Sequence, residues 1–340
     1  MALHTRVLTQ PAELRAIAAD WQSLCELCAV ATPFQQPEWL LSWVEAFRPE
    51  NIRVVEVRSG DRLVGLAPLL IYPRHEQMVL AFMGGAVSDY LDWLVDPQCE
   101  REIVSAVLGV LEGLPQWTTL ELTDLSSQSV LLRTALFGIA MPHDNCSALY
   151  LPRTKEELIQ LFSKRQRANL RNARSRIQRA GGTQVELATA ETLPDFLDDL
   201  FRLHTRRWDL AGEPGVLSEP EVKAFHRMSA PGLIARGPLR MYRLRLQQRT
   251  IAVLYCFFEH GTVFCYLQGY DPEFACLSPG THLLFSVMED AVRLNMRKFD
   301  FLRGHESYKQ HWRAEPEITY RVRLPRLEAS NRDLIEAVAA

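Results

Sequence analysis

Two stretches of twenty residues fix the reading of this 340-residue chain: Arg53–Tyr72, RVVEVRSGDRLVGLAPLLIY, and Arg240–Glu259, RMYRLRLQQRTIAVLYCFFE. Each is a pair of apolar runs around a short polar turn, the pattern of a β-hairpin. Laid over one another by a shift of 187 residues, they align Arg53 with Arg240, Arg58 with Arg245 and Arg62 with Arg249. The order of the succeeding elements agrees as well. Each hairpin leads to a further strand, a helix and a short strand, Thr119–Leu122 in the first copy and Phe299–Leu302 in the second. The chain therefore reads as two diverged copies of one α/β unit, of the α+β kind. Mixed, mostly antiparallel sheets flanked by helices are expected, with domains at 1–152 and 153–340.

Outward from the hairpins, periodicity predicts helices over 11–29, 38–47, 100–112 and 126–136 in the first half. Strands are predicted over 52–58, 63–72, 78–83, 90–95, 117–122 and 147–151. In the second half, helices are predicted over 154–162, 163–180, 191–209, 219–230 and 281–295. Strands there fall at 183–187, 240–246, 250–258, 262–269 and 298–302. A strand over 318–324 and a helix near 328–338 make the tail.

The formal net charge of −3 conceals an asymmetry. Residues 1–150 carry 9 Arg, no Lys and 18 acidic residues; residues 151–340 carry 29 basic and 23 acidic residues. A polyanion is therefore expected on the second half only. The seven cysteines are scattered, and Cys25-x-x-Cys28 has no second ligand pair at zinc spacing. These are expected to be buried thiols of a reduced, cytoplasmic protein with no bound metal. No leader-like segment and no apolar run long enough for a membrane span is present, so a soluble chain with no transmembrane segment is expected.

Chemistry concentrates between Thr262 and Trp312. The loop Cys276-Leu277-Ser278-Pro279-Gly280-Thr281 opens a helix. Gly280 permits close backbone approach, Thr281 can cap, and the first-turn N–H groups suit a pyrophosphate. The same pattern also describes an ordinary loop entering a helix. Downstream, Phe299-Asp300-Phe301-Leu302 alternates as a strand around a carboxylate that needs a partner or an exposed face. His305, Glu306, Tyr308 and Lys309 come next, offering a base, a phenol and a cation within a dozen residues. If 305–314 is helical, Tyr308 stacks on Trp312 and Glu306 pairs with Lys309. A surface helix with an aromatic edge explains the same residues equally well.

The stretch Ser163–Arg179 holds seven cations and no acid. On a helix, Lys164, Arg167, Arg171 and Arg174 share one face, while Leu170, Ala173 and Ile177 share another. Self-repulsion along such a face favours an anionic partner. Neither a Gly-x-Ser-x-Gly elbow, a Walker loop nor a His-Glu-x-x-His helix occurs.

Several stretches together resemble the CelD/BcsL-type acetyltransferases, a GNAT-like family related to the Fem peptidyltransferases. They are Thr32-Pro33-Phe34-Gln35-Gln36-Pro37-Glu38-Trp39-Leu40, Ser88-Asp89-Tyr90-Leu91-Asp92, the basic helix, Leu203-His204-Thr205-Arg206-Arg207-Trp208, and Phe299 through Lys309. The resemblance covers about residues 30–315. It implies two GNAT folds in tandem and an N-acyltransferase using acetyl-CoA or another acyl-CoA, often linked to polysaccharide synthesis. On that basis the donor pyrophosphate is expected at Ser278, Gly280 and Thr281, with its thioester on the strand from Tyr266 to Gly269. Glu306 or His305 would act as base and Tyr308 as acid, with Lys309 nearby. A saccharide or other small amine acceptor would meet Asp89, Tyr90, Arg207 and Trp208 in a cleft between the copies. The family's Gln/Arg-x-x-Gly-x-Gly/Ala loop reads Ala275-Cys276-Leu277-Ser278-Pro279-Gly280 here, and proline lacks an N–H. An aminoacyl-tRNA donor held by helix 163–180, or a non-enzymatic scaffold of a polysaccharide-synthesis complex, are the alternatives.

Overall fold

The computed structural model describes residues 2–326 except Glu213, His305 and Ser307; the helix expected near 328–338 lies outside the described residues. The chain forms two compact units, Met1–Asp144 with the segment from Ile318, and Asn145–Glu317. The division thus falls earlier than residue 152, and the tail strand joins the first unit.

The first unit begins with β1 (Leu3–Leu8), α1 (Pro11–Ala16), α2 (Ala18–Leu27) and α3 (Pro37–Phe47). It continues through β2 (Val54–Ser59), β3 (Arg62–Ala67), β4 (Leu69–Arg74), β5 (Gln77–Phe82), β6 (Leu94–Val95), α4 (Glu100–Gly113) and β7 (Thr119–Leu125). Strand β8 (Met141–Tyr150) leads into the second unit, which holds α5 (Lys155–Leu161), α6 (Lys164–Arg179), β9 (Thr183–Leu187), α7 (Leu193–Ala211) and α8 (Pro220–Arg236). After these come β10 (Leu239–Leu246), β11 (Arg249–Glu259), β12 (Thr262–Tyr270), α9 (Pro279–Arg293), β13 (Lys298–Arg303), α10 (Tyr308–His311) and finally β14 (Glu315–Pro325).

The hairpins carry the repeat down to single hydrogen-bonded pairs. In β2–β3, Ser59 faces Arg62, Val57 faces Gly65, and a bulge between Val57 and Arg58 sets Arg58 opposite Leu63. In β10–β11, Leu246 faces Arg249, Leu244 faces Ala252, and a bulge between Leu244 and Arg245 sets Arg245 opposite Thr250. Every one of these positions corresponds under the 187-residue shift. A bulge fixes register, so its recurrence at the same place reflects common design of the two sheets. Each copy then sets a strand parallel to an earlier one after its helix: β7 to β5, and β13 to β12.

Other segments differ from the periodicity. Pro68 interrupts the expected strand 63–72, since it has no N–H for a ladder. Only Leu94–Val95 of 90–95 is strand. Before it, Asp92 accepts the Trp93 and Val130 N–H groups, and Thr32 Oγ1 donates to the Tyr90 carbonyl, so side chains replace ladder bonds. Within 126–136 only residues 130–136 are helical, and Leu132–Leu136 is a π-turn. Cys25 and Cys28 are buried, and the Cys28 Sγ lies 3.0 Å from the Val95 carbonyl.

In the second unit the strand order is β9-β10-β11-β12-β13-β8. Helices α5, α6 and α9 bury one face of it through Leu158, Phe162, Ile177, Leu283, Val287 and Met288, against Leu254, Cys256, Val263 and Cys265. Alternate strand residues face the other way, where Tyr255, Phe257 and Tyr266 pack around His226 of α8. Strands β12 and β13 pair only over Thr262–Phe264 and Lys298–Asp300. Beyond that the two diverge.

Candidate active site

The turn after β13 is built by two buried charges. Asp300 is fully buried; its carboxylate lies 3.0 Å from Lys298 Nζ and accepts the Leu302 N–H at 2.8 Å. Burial raises the Asp300 proton affinity, and the Lys298 ammonium opposes that rise. The chain then turns through left-handed backbone at Leu302 (φ 59°) and Gly304 (φ 123°). A side chain at 304 would strike the Glu306 carboxylate, so glycine is required there. Lys309 Nζ is buried and donates to the carbonyls of Leu302, Arg303 and Gly304 at 3.0, 2.8 and 3.1 Å. Its three protons are thereby used, and Glu306 Oε2 at 3.0 Å is held by charge. Lys309 thus ties the turn through its ammonium protons.

Next to this turn lies a cavity of about 460 Å³ at the end of β12. Tyr308 enters it from α10, Gln268 and Tyr270 from β12, Arg207 from α7, Arg176 and Asn169 from α6, and Ser278, Gly280 and Thr281 from the start of α9. The Tyr308 phenol shares the cavity with Gln268. Burial foremost, then Cys265 and Glu306, holds it well above the usual phenol range, while Arg207 pulls the other way. It is a neutral O–H donor at physiological pH. Tyr308 packs on Phe301, whereas Trp312 packs on Phe162 at 5.6 Å and stacks on Phe285. The expected Tyr308–Trp312 stack requires a longer helix than the one turn of α10.

At the other end of the cavity, Ser278 adopts left-handed backbone (φ 54°) and Pro279 takes the first helical position of α9, where a missing N–H is tolerated. The His282 N–H returns to the Ser278 carbonyl, leaving Gly280 and Thr281 as the first-turn donors. A Cβ at Gly280 would meet only Tyr270, at 3.8 Å, so space remains above these N–H groups. Arg176 donates from Nη2 to Ser278 Oγ at 3.0 Å, and its buried Nε has no acceptor among the described residues. Arg207 is half-buried, its guanidinium 5.7 Å from the Tyr270 ring centre and 5.8 Å from that of Trp208. Among the described residues no Asp or Glu lines the cavity.

The other expected residues lie elsewhere. Gly269 is pressed against α7, where a Cβ would sit 2.7 Å from the His204 backbone nitrogen, so helix–strand packing requires glycine there. Tyr266 belongs to the cluster around His226 on the opposite sheet face. Trp208 backs Arg207 and donates its Nε1–H to His204 Nε2 at 3.0 Å. Glu306 flanks the cavity without lining it, and His305 lies outside the described residues. Asp89 and Tyr90 are buried in the first unit. Lys164, Arg167, Arg171 and Arg174 form no ion pair among the described residues. The α6 face that lines the cavity is instead Gln166, Asn169, Ala173 and Arg176. The sequence reading missed Arg176 and Gln268. Arg176 borders the apolar stripe three residues after Ala173, and Gln268 is the polar residue of an otherwise apolar strand.

Among the described residues no helix is long and apolar enough to cross a membrane, and no cluster of metal-ligating side chains occurs. Residues 164–310 match the GNAT acetyltransferase domain. No curated protein sequence matches the chain. Among solved structures, FemX shares the fold across 99% of this chain and 100% of its own, with 12% identity and a TM-score of 0.66. The C-terminal domain of a putative lysylphosphatidylglycerol synthetase from Agrobacterium fabrum superposes over 97% of this chain and 96% of its own (13% identity, TM-score 0.57). L-PGS from Bacillus licheniformis does so over 97% and 98% (11% identity, TM-score 0.56). The chain thus shares its fold with FemX, and the stretch that matches the GNAT acetyltransferase domain, residues 164–310, lies within its second unit.

Proposed function

We propose that the second unit transfers an acyl group, acetyl in the simplest case, from acyl-CoA to an amine acceptor. One observation carries this reading: a single cavity joins the open N-terminus of α9 to the Tyr308 phenol past the end of β12. Gly280 and Thr281 N–H groups and Arg176 suit the donor's pyrophosphate, with the Arg176 Nε offsetting the N–H that Pro279 lacks. Backbone groups of Cys265–Tyr270 can orient the thioester. The amine forms the new C–N bond as the C–S bond breaks. Glu306, beside the cavity, takes the amine proton through water, and Tyr308 gives its proton to the departing thiolate. The placement of such an activity in polysaccharide synthesis rests on the sequence resemblance alone. Calorimetric titration with acetyl-CoA tests the donor: dissociation in the micromolar range is expected, and no heat at millimolar ligand would sink the reading.

The cations of α6 favour a second reading, an aminoacyl-tRNA donor. Lys164, Arg165, Arg167, Arg171 and Arg174 lie along one helix with no acidic partner among the described residues. Binding of charged tRNA would then weaken steeply with salt, and Arg167→Ala with Arg171→Ala would flatten that salt dependence.

A further inference from the structure

The cavity's charges outnumber what a donor's phosphates need. Arg176 and the α9 N-terminus serve one end. Arg207 enters on α7, beside Tyr270 and within electrostatic reach of the Tyr308 phenol. Among the described residues it forms no ion pair and no carboxylate lines the cavity to balance it. A half-buried guanidinium without a counter-ion is costly unless a ligand supplies the anion. The rings of Tyr270 and Trp208 hold it in place, so its N–H fork is pre-organised. That fork matches a carboxylate through two parallel hydrogen bonds, and one guanidinium neutralises one negative charge.

Resting on the acyl-transfer reading above, we infer that the amine acceptor carries a carboxylate, which Arg207 binds beside Tyr308 and Gln268. The acceptor class is then an amino acid, or a peptide or other amine with a nearby carboxylate, rather than an uncharged amino sugar. Gln268 and Tyr308 supply neutral hydrogen bonding on the reacting side.

Product analogues test this without any donor. A panel of N-acetyl amino acids with small, apolar and polar side chains, each beside its carboxamide, is titrated while monitoring the fluorescence of the nearby tryptophans, Trp208 and Trp312. At least one acid should bind tenfold or more tightly than its amide. Arg207→Met should abolish that preference, Arg207→Lys should retain part of it, and Arg176→Met should leave it in place. Circular dichroism and Tm of each variant establish folding, and Arg207→Lys serves if the Met variant does not fold. Equal binding of acid and amide throughout the panel, or a preference that survives in Arg207→Met, overturns the inference. Titration with acetyl-CoA is read separately. Intact acetyl-CoA binding without acid preference overturns this inference alone, whereas acid preference without acetyl-CoA binding overturns the donor.

Discussion

Tyr308 and Lys309 are neighbours in sequence with opposite tasks. The phenol faces the cavity, whereas the ammonium is turned inward and ties three consecutive carbonyls of the β13 turn. Tyr308→Phe removes the proton donor and little packing, so a fall in kcat of about 10- to 100-fold is expected. The calorimetric affinity for acetyl-CoA should stay unchanged. Lys309→Met leaves those carbonyls without donors and should cost about 3 kcal/mol in urea unfolding. Activity would then fall through loss of the turn. If Lys309→Met instead keeps full stability while kcat collapses, the ammonium belongs to the chemistry.

At the scale of an element, α6 is a helix with two separate faces. Its capping box, Ser163 with Gln166, and the left-handed Gly181 beyond its end fix where it starts and stops. Ala173 and Ile177 then set its rotation by burial against the core. That rotation turns Arg176 toward Ser278 and leaves Arg171 exposed. Arg176→Met should therefore weaken acetyl-CoA binding about tenfold or more, while Arg171→Met changes it less than twofold at physiological salt. Equal effects of the two, measured by the same titration, would mean that α6 acts only through its long-range field.

At the scale of the whole molecule, stability depends on histidines buried without charge. His226 is fully buried among Phe225, Tyr255 and Tyr266, and burial, with a smaller push from His204, lowers its pKa to about 3. His204 is lowered to about 4, by burial first and then by Arg207 and Lys223. As pH falls through 6.5 the unfolded chain takes up these protons before the folded one does. The contribution is therefore complete above pH 6.5 and is lost progressively below it. For His226 alone, about 2 kcal/mol should go between pH 6.5 and 5. Urea unfolding at pH 7.5 and pH 5 measures this, and His226→Phe should show a shallower pH dependence than the parent chain. An unchanged slope would place the acid sensitivity elsewhere.

The doubled α/β fold was legible because a hairpin writes itself locally: two apolar runs, a polar turn and an arginine at each shoulder recur 187 residues apart. The Ser278–Thr281 helix entry and Tyr308 were legible for the same reason, since loop chemistry and short spacing need no distant partner. What faces the cavity was settled only by tertiary packing. Arg176 and Arg207 lie on different helices, Gln268 lies on a strand, and the sequence assigns none of them a common neighbour. The three carbonyls that Lys309 ties meet only through the turn at Leu302 and Gly304. Why residue 269 is glycine is plain only once α7 is found against it. Local hydrogen bonding and periodicity are encoded within a few residues, whereas a cavity's charge depends on which faces of separate elements the core's burial turns inward.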